Sequence, residues 1–336
     1  MRSAPDDLTA DRIVQELVER WLVQASSIDY VPEGGGSHHW RVVSTEGRAY
    51  FVTVDDLDNK TWLGEDRESV SAGVRQAYAT TDTLRHAAGL SFVLSPLAAH
   101  SGELLHRLSD RYTVSVFTYV DGHSFPFGPY RESGLRARAI ELIATLHQAT
   151  PAVRERAPVH KLGYSGRQDL TAFLTEPNCP WVGGPFSDSA RELFVAHSAD
   201  LTELVDRFNQ LALSTAPARA DTVITHGEPH PANLMEVGEQ LFLIDWDTAG
   251  LAAPERDVAL IAPEPGPDTD RYQVATGHEV NFAVVDLYRL RWYLDDVGSA
   301  VRMFRRPHAA TEDTRRWWNA LGPQLAELPN WLDRLS

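Results

Sequence analysis

Residues 9–23, TADRIVQELVERWLV, set Ile13, Val14, Leu17, Val18, Trp21 and Leu22 along one helical stripe, with Thr9 placed to cap it, and so predict an amphipathic helix. Residues 27–54, SIDYVPEGGGSHHWRVVSTEGRAYFVTV, alternate β-branched and aromatic residues around glycine turns at Gly34 to Gly36 and at Gly47, the pattern of an antiparallel meander. Helical spacing returns over 67–88, and SFVLSPLA and YTVSVFTYV read as two more strands. After Asp121 and Gly122 the strand signal fades and helical patterns broken by proline-rich loops dominate, which sets an expected boundary between 1–120 and 121–336. In the second part, Leu135, Ile140, Ile143 and Leu146 share a helix face, and further helices are expected near 188–212, 278–304 and 311–334. Two short apolar runs, TVIT before His226 and LFLI before Asp245, predict a small hairpin inside this helical part. The expected class is α+β, strands first and helices after.

Composition narrows the possibilities. A chain of 336 residues with 43% hydrophobic and 23% charged residues can bury a sizeable core. Cys179 is the only cysteine, which excludes an internal disulfide and a thiolate metal cluster. The segment MRSAPDDLTADR lacks an apolar core and no apolar run is long enough to cross a bilayer, so a cytoplasmic protein with no membrane partner is expected. A net charge of −16 repels a phosphate backbone and argues against a nucleic-acid partner. Only two of the 31 basic residues are lysines, Lys60 and Lys161, so chemistry that needs an ammonium has two candidates.

The chemically informative stretch is ITHGEPHPANLMEVGEQLFLIDWDTAGLAAPERDVALI. Transfer of a phosphoryl group asks for a carboxylate near the acceptor hydroxyl, oxygen ligands for Mg²⁺ and fixed geometry between them. Glu228 and Asn233, with four residues between them, supply a carboxylate and a carboxamide; Asp245 follows twelve residues later at the end of an apolar run, with Asp247 beyond it as a ligand for a second metal. His226 and His230 bracket an acidic residue as some zinc ligands do, but Pro229 and Pro231 break the helix such a pair needs. His38 and His39 are adjacent and point to opposite faces of a strand, so they do not share a metal.

HGEPHPANLM followed by LIDWD resembles the signature of the aminoglycoside phosphotransferase and choline-kinase-like superfamily, and the strand, hinge and helix order extends the resemblance over nearly the whole chain. The resemblance implies a two-lobed protein-kinase-like fold, with 1–120 as the nucleotide-binding lobe and 121–336 carrying the catalytic loop and substrate pocket. It implies transfer of the γ-phosphate of ATP or GTP, with Mg²⁺, to a hydroxyl of an aminoglycoside-like or other antibiotic, a cationic small molecule. By carry-over His226 braces the loop, Glu228 is the catalytic carboxylate, Asn233 and Asp245 hold Mg²⁺, and Asp257 supports the loop. Gly34, Gly35, Gly36 and Ser37 stand where the phosphate-covering loop falls, and Phe117 to Gly122, Tyr119 included, where the hinge meets the base. His230, Trp292, Asp295 and Asp296 join Glu228 as expected substrate contacts, although 270–336 carries nine acidic and nine basic residues and so no excess of negative charge. This sequence departs from the pattern twice: Glu228 replaces the usual aspartate, and Thr53 stands where the third strand normally carries a phosphate-binding lysine, leaving Lys60 or Arg41 to substitute. A metabolite kinase acting on a sugar, amino alcohol or amino acid would use the same residues, and a ligand-binding protein without turnover is the alternative outside enzymes. Monomer and homodimer are both compatible with the sequence.

Overall fold

The Thr9 hydroxyl accepts the Arg12 amide at 3.3 Å and starts helix α1 (Ala10–Trp21) in the computed structural model, which describes residues 1–60, 62–64, 66–215 and 221–335. Ile13 and Leu17 are buried against Trp40, Val42, Val52, Val54, Val114 and Val116, whereas Val18 is 40% exposed, so the buried stripe is narrower than the full run of apolar positions. Those partners belong to strands β1 (Ala25–Val31), β2 (Ser37–Ser44), β3 (Ala49–Asp56), β4 (His106–Arg107) and β5 (Tyr112–Thr118), an antiparallel sheet in the order β1-β2-β3-β5-β4. Because side chains alternate along a strand, Val52 and Val54 face α1 while Thr53 and Asp55 go to the opposite face, next to Ser115 on β5. Helix α2 (Arg67–His86) is opened by a capping box between Asp66 and Ser69, and its Val74 and Tyr78 cluster with Leu105 and Phe117.

SFVLSPLA does not form the expected strand. Its backbone is used singly instead: the Phe92 carbonyl accepts the Leu243 amide at 2.9 Å and the Leu97 amide donates to Val116 at 2.6 Å. Pro96 lacks the donor a central strand needs, and the two-residue β4 takes the sheet edge.

The described residues divide into two compact units, Met1–His160 with Arg219–Val280, and Lys161–Ala218 with Asn281–Ser336. In the first, the segment after the sheet holds β6 (His123–Ser124), α3 (Ser133–Gln148), α4 (Thr150–Val153), β7 (Val223–Thr225), β8 (Leu234–Val237), β9 (Gln240–Leu243), β10 (Gly250–Ala252), α8 (Glu255–Ile261) and α9 (Pro267–Thr276). The two apolar runs expected to pair with each other do not. TVIT forms β7 and pairs with β10, whereas LFLI ends β9, which pairs with β8. Val237 pairs with Gln240, leaving Gly238 and Glu239 as a two-residue turn with Gly238 at φ 58°, and this local connection wins over the longer one.

The second unit contains α5 (Arg167–Thr175), α6 (Ser187–Ala196), α7 (Ser198–Thr215), α10 (Phe282–Arg305), α11 (Glu312–Leu325) and α12 (Leu328–Arg334). Leu287, Leu290, Leu294, Val297, Val301 and Phe304 repeat along α10 at helical spacing and form the centre of its core with Phe173, Phe194 and Phe208. The runs expected at 188–212 and 311–334 each divide into two helices, at His197 and at Ala326 and Glu327. No helix among the described residues is long and apolar enough to cross a membrane.

Burial predicts unequal sensitivity along α1. Leu17→Ala empties a fully buried site and is expected to cost about 2–5 kcal/mol in urea unfolding followed by circular dichroism, against about 0.5 kcal/mol or less for Val18→Ala.

Candidate active site

The loop between β7 and β8 is hung on one buried carboxylate. Asp257, fully buried at the start of α8, accepts the His226 amide at 2.8 Å and the Gly227 amide at 2.6 Å, while His147 Nε2 lies 3.0 Å from the same group. Burial works against the charge of Asp257, but the hydrogen bond and charge of His147 and the nearby Arg256 hold its carboxyl below the usual range. The Arg256 guanidinium donates to Thr225 Oγ1 at 2.8 Å and to the Thr248 carbonyl at 3.0 Å, and it packs against Gly227. A Cβ at Gly227, whose φ is 99°, would stand 2.2 Å from an Arg256 nitrogen, so only glycine fits there.

His226 is fully buried and braces the loop through both ring nitrogens. Nε2 lies 2.9 Å from the Ile244 carbonyl and Nδ1 accepts the Glu228 amide at 3.2 Å, which together require the neutral ring with its proton on Nε2. Burial pushes its pKa down to about 4. Glu228 is therefore fixed at its backbone: its amide by His226, its carbonyl by the His230 amide at 2.8 Å and by Asn233 Nδ2 at 2.9 Å. The Tyr130 hydroxyl adds a bond to the Pro229 carbonyl at 2.6 Å, and Phe127 meets the His230 ring edge to face at 4.9 Å. Burial also lowers the pKa of His230 to about 4.

Asn233 and Asp245 are brought together by the β8–β9 hairpin, whose pairing continues as a bond from the Ile244 amide to the Asn233 carbonyl at 2.9 Å. With its Nδ2 spent on Glu228, the Asn233 side chain has its carbonyl oxygen left to face a ligand. Asp245 adopts φ 64°, a left-handed conformation uncommon outside glycine, at the point where the chain turns out of the hairpin. The residue is exposed at its turn, yet burial of its carboxyl by the surrounding protein and the carboxylates of Asp247, Glu228 and Asp55 raise its proton affinity well above that of a free aspartate, with Lys60 opposing.

The loop after β3 sets Lys60 against two aspartates. Lys60 is 2% exposed; its Nζ lies 3.0 Å from Asp55 Oδ1 and donates to Asp247 Oδ2. Burial works against the ammonium, but Asp247 and Asp55 more than offset it and hold its pKa well above the ordinary value. Ser37 Oγ donates to Asp55 at 2.9 Å, and Gly36, at φ 82°, approaches the Lys60 stem and the Trp62 ring so closely that a Cβ would stand 3.2 Å from Trp62. Thr53 is engaged with His39, 3.2 Å from its Nδ1, and Arg41 lies over the Tyr119 ring at 5.0 Å. Of the two expected substitutes, Lys60 is the one joined to the acidic cluster.

The remaining expected residues are placed as follows. Gly34 to Gly36 form the turn between β1 and β2, Phe117 lies edge to face with Tyr78 at 5.7 Å, and the Tyr119 amide donates to Ala49 at 3.2 Å. Trp292, Asp295 and Asp296 belong to the second unit, on α10. Asp295 is committed there: it accepts the Ser165 amide and pairs with Arg291 at 2.8 Å. Asp296, with burial and the neighbouring Asp295 acting on it, has its carboxyl pushed up to about 7. Asp247, expected beside a second metal, is occupied by Lys60. Sequence reasoning missed Asp55, His147 and Arg256. Only Asp55 left a signal, as an acidic residue at an inward position of a valine-rich strand.

The donor set suits a hard divalent ion: one carboxylate and one carboxamide oxygen at the end of a hairpin, in a region with more carboxylates than cations. Among the described residues no three His, Cys, Asp or Glu side chains form a metal cage, so phosphates and water would complete the coordination, as Mg²⁺ prefers.

A loop hung on Asp257, a carboxamide and a carboxylate at the end of one hairpin and a buried lysine under a glycine turn accompany a two-lobed, kinase-like α+β fold, the class of the small-molecule phosphotransferases. The chain belongs to the Phosphotransferase enzyme family, which it matches over residues 31–293. It is similar to Protein StrN of Streptomyces griseus, with 26% identity over 313 residues covering 85% of this chain and 92% of that one. Among solved structures it shares its fold with a spectinomycin phosphotransferase bound to ADP and spectinomycin, at a TM-score of 0.71 and 15% identity, covering 96% of this chain and 99% of that one. It also shares its fold with a microcompartment-associated aminopropanol kinase, at a TM-score of 0.60 and 15% identity, covering 96% of this chain and 98% of that one.

The buried neutral His226 predicts acid sensitivity. Between the ordinary histidine value of 6.5 and about 4, the unfolded chain binds the proton that the folded chain refuses, so stability is lost as pH falls through this window. The expected loss from this one side chain is at most about 1.4 kcal/mol per pH unit. Urea unfolding at pH 7 and pH 5 measures it, and equal midpoints would contradict the assignment.

Proposed function

We infer that the chain moves the γ-phosphoryl group of ATP to a hydroxyl of a small antibiotic of the aminoglycoside or aminocyclitol kind. The observation that carries this reading is the shared scaffold of Glu228, Asn233 and Asp245, in which a catalytic carboxylate and two oxygen ligands are fixed by one loop and one hairpin. The likeness to a spectinomycin phosphotransferase supports the acceptor class, and the ADP bound there supports an adenine nucleotide. In this reading the sheet of residues 1–120 carries the nucleotide: Gly34, Gly35, Gly36 and Ser37 cover the phosphates, and the backbone from Phe117 to Tyr119 meets the base. Residues beyond 121 carry the acceptor, with Glu228 and His230 against it.

Asn233 and Asp245 would hold Mg²⁺, which supplies charge neutralisation to the triphosphate when bound. Glu228 orients the acceptor hydroxyl and takes its proton as the new O–P bond forms and the bond to the β-phosphate oxygen breaks. His226 acts through Glu228 by fixing its backbone, and the glycine turn excludes water from the phosphates. The likeness to an aminopropanol kinase favours one second reading, a metabolite kinase with an amino alcohol as acceptor.

Incubation with ATP, Mg²⁺ and spectinomycin, an aminoglycoside panel or aminopropanol, read by mass spectrometry, is expected to show a gain of one phosphoryl group on an antibiotic. Asp245→Ala is expected to lower kcat/KM by about 100-fold or more through loss of a charged ligand, and Glu228→Gln by about 100-fold to 10,000-fold through loss of the base. An Asp245→Ala enzyme as active as the parent would remove the metal assignment.

A further inference from the structure

Strands β2 and β3 carry polar side chains on the face opposite α1. Trp40, Val42, Val52 and Val54 are buried against α1, so alternation places Ser37, His39 and Arg41 of β2 with Phe51, Thr53 and Asp55 of β3 on the other face. His39 stands directly across from Thr53, the position at which the sequence departs from the expected lysine. The Lys60 ammonium is held between Asp55 and Asp247.

The His39 ring is fixed from three sides. It stacks on Phe51 with ring centres 4.9 Å apart and planes 23° from parallel, and its Nδ1 lies 3.2 Å from Thr53 Oγ1. The glycine turn closes over it: a Cβ at Gly34, whose φ is 77°, would stand 3.0 Å from His39 Nε2. Burial and the Lys60 charge push the pKa of this ring down to about 3, so it is neutral and carries one proton. The Thr53 hydroxyl can turn its hydrogen to Nδ1, which leaves that proton on Nε2. Among the described residues Nε2 has no hydrogen-bond partner, and the ring is only half-buried, so a ligand under the turn can reach it. A lysine at position 53 would set a second cation near Lys60, whereas an imidazole adds a donor without charge.

We propose that His39 Nε2 donates to a phosphate oxygen of the bound nucleotide, so that a neutral imidazole on β2 takes the place of the lysine that β3 lacks. The proposal deepens the phosphotransferase reading above and rests on it. Thr53 and Phe51 are then positioning residues, one setting the tautomer of the ring and the other its plane.

Calorimetric titration of the full chain with AMP-PNP and with adenosine tests this in the parent, His39→Phe and His39→Gln. The phenylalanine keeps a ring against Phe51 and removes the donor; the glutamine restores an N–H near the position of Nε2. His39→Phe is expected to bind AMP-PNP about tenfold or more weakly while adenosine stays within about threefold, because only a hydrogen bond to a charged acceptor is lost. His39→Gln is expected to hold AMP-PNP within about threefold of the parent. A His39→Phe chain that binds AMP-PNP like the parent, a loss as large for adenosine, or a His39→Gln chain as weak as His39→Phe would each overturn the proposal. Should His39→Phe not fold by circular dichroism, the imidazole ¹⁵N resonances of the parent decide it. The Nε2 signal that disappears in His39→Gln is expected to shift with AMP-PNP and not with adenosine; an equal shift with both, or none with either, overturns the proposal. A parent chain that binds no AMP-PNP overturns the phosphotransferase reading and this proposal together, whereas AMP-PNP binding that is indifferent to His39 overturns only the latter.

Discussion

The buried carboxylate of Asp257 is the constraint on which the rest of the site depends. Two consecutive amides, those of His226 and Gly227, end on it, and a loop that presents both to one acceptor has little freedom left in its direction. The charge is tolerable in the interior because His147 and Arg256 stand beside it, and His147 in turn meets the Tyr272 hydroxyl at 2.6 Å. From that anchor the order continues outward: His226 bonds to the amide of Glu228, Asn233 to its carbonyl, and the hairpin sets Asp245 beside Asn233. The side chains of Glu228, Asn233 and Asp245 are thereby positioned by backbone bonds buried beneath them.

Charge is the second theme. The chain carries −16 overall, and its site repeats that excess on a small scale, with Asp55, Asp245, Asp247 and Glu228 around a single lysine. Burial and the neighbouring carboxylates together raise the proton affinity of Asp245. The same excess is what a divalent cation would relieve under the proposed function.

Much of this was legible in the residues themselves. The α+β class, the capped first helix, the strands of the N-terminal sheet and the order of chemistry-bearing residues in HGEPHPANLM and LIDWD follow from period, turn residues and spacing. Other features were not. SFVLSPLA has the composition of a strand, yet its carbonyls and amides serve β9 and β5 one at a time; TVIT and LFLI each look like half of a hairpin, and each takes another partner. Pairing choice depends on which loop closes at least cost, and period alone does not report it.

The sequence alone determined which chemistry the chain can carry, because carboxylates, a carboxamide and one lysine outside the expected strand are matters of composition and order. Tertiary structure decided which of these groups act together. Lys60 and Asp247 are 187 residues apart and meet only because β3 and the hairpin converge, and Asp257 reaches the loop from 31 residues downstream of His226. Spacing encodes contacts within a turn or a hairpin, whereas a buried ion pair between distant segments exists only once the fold has excluded water from both partners.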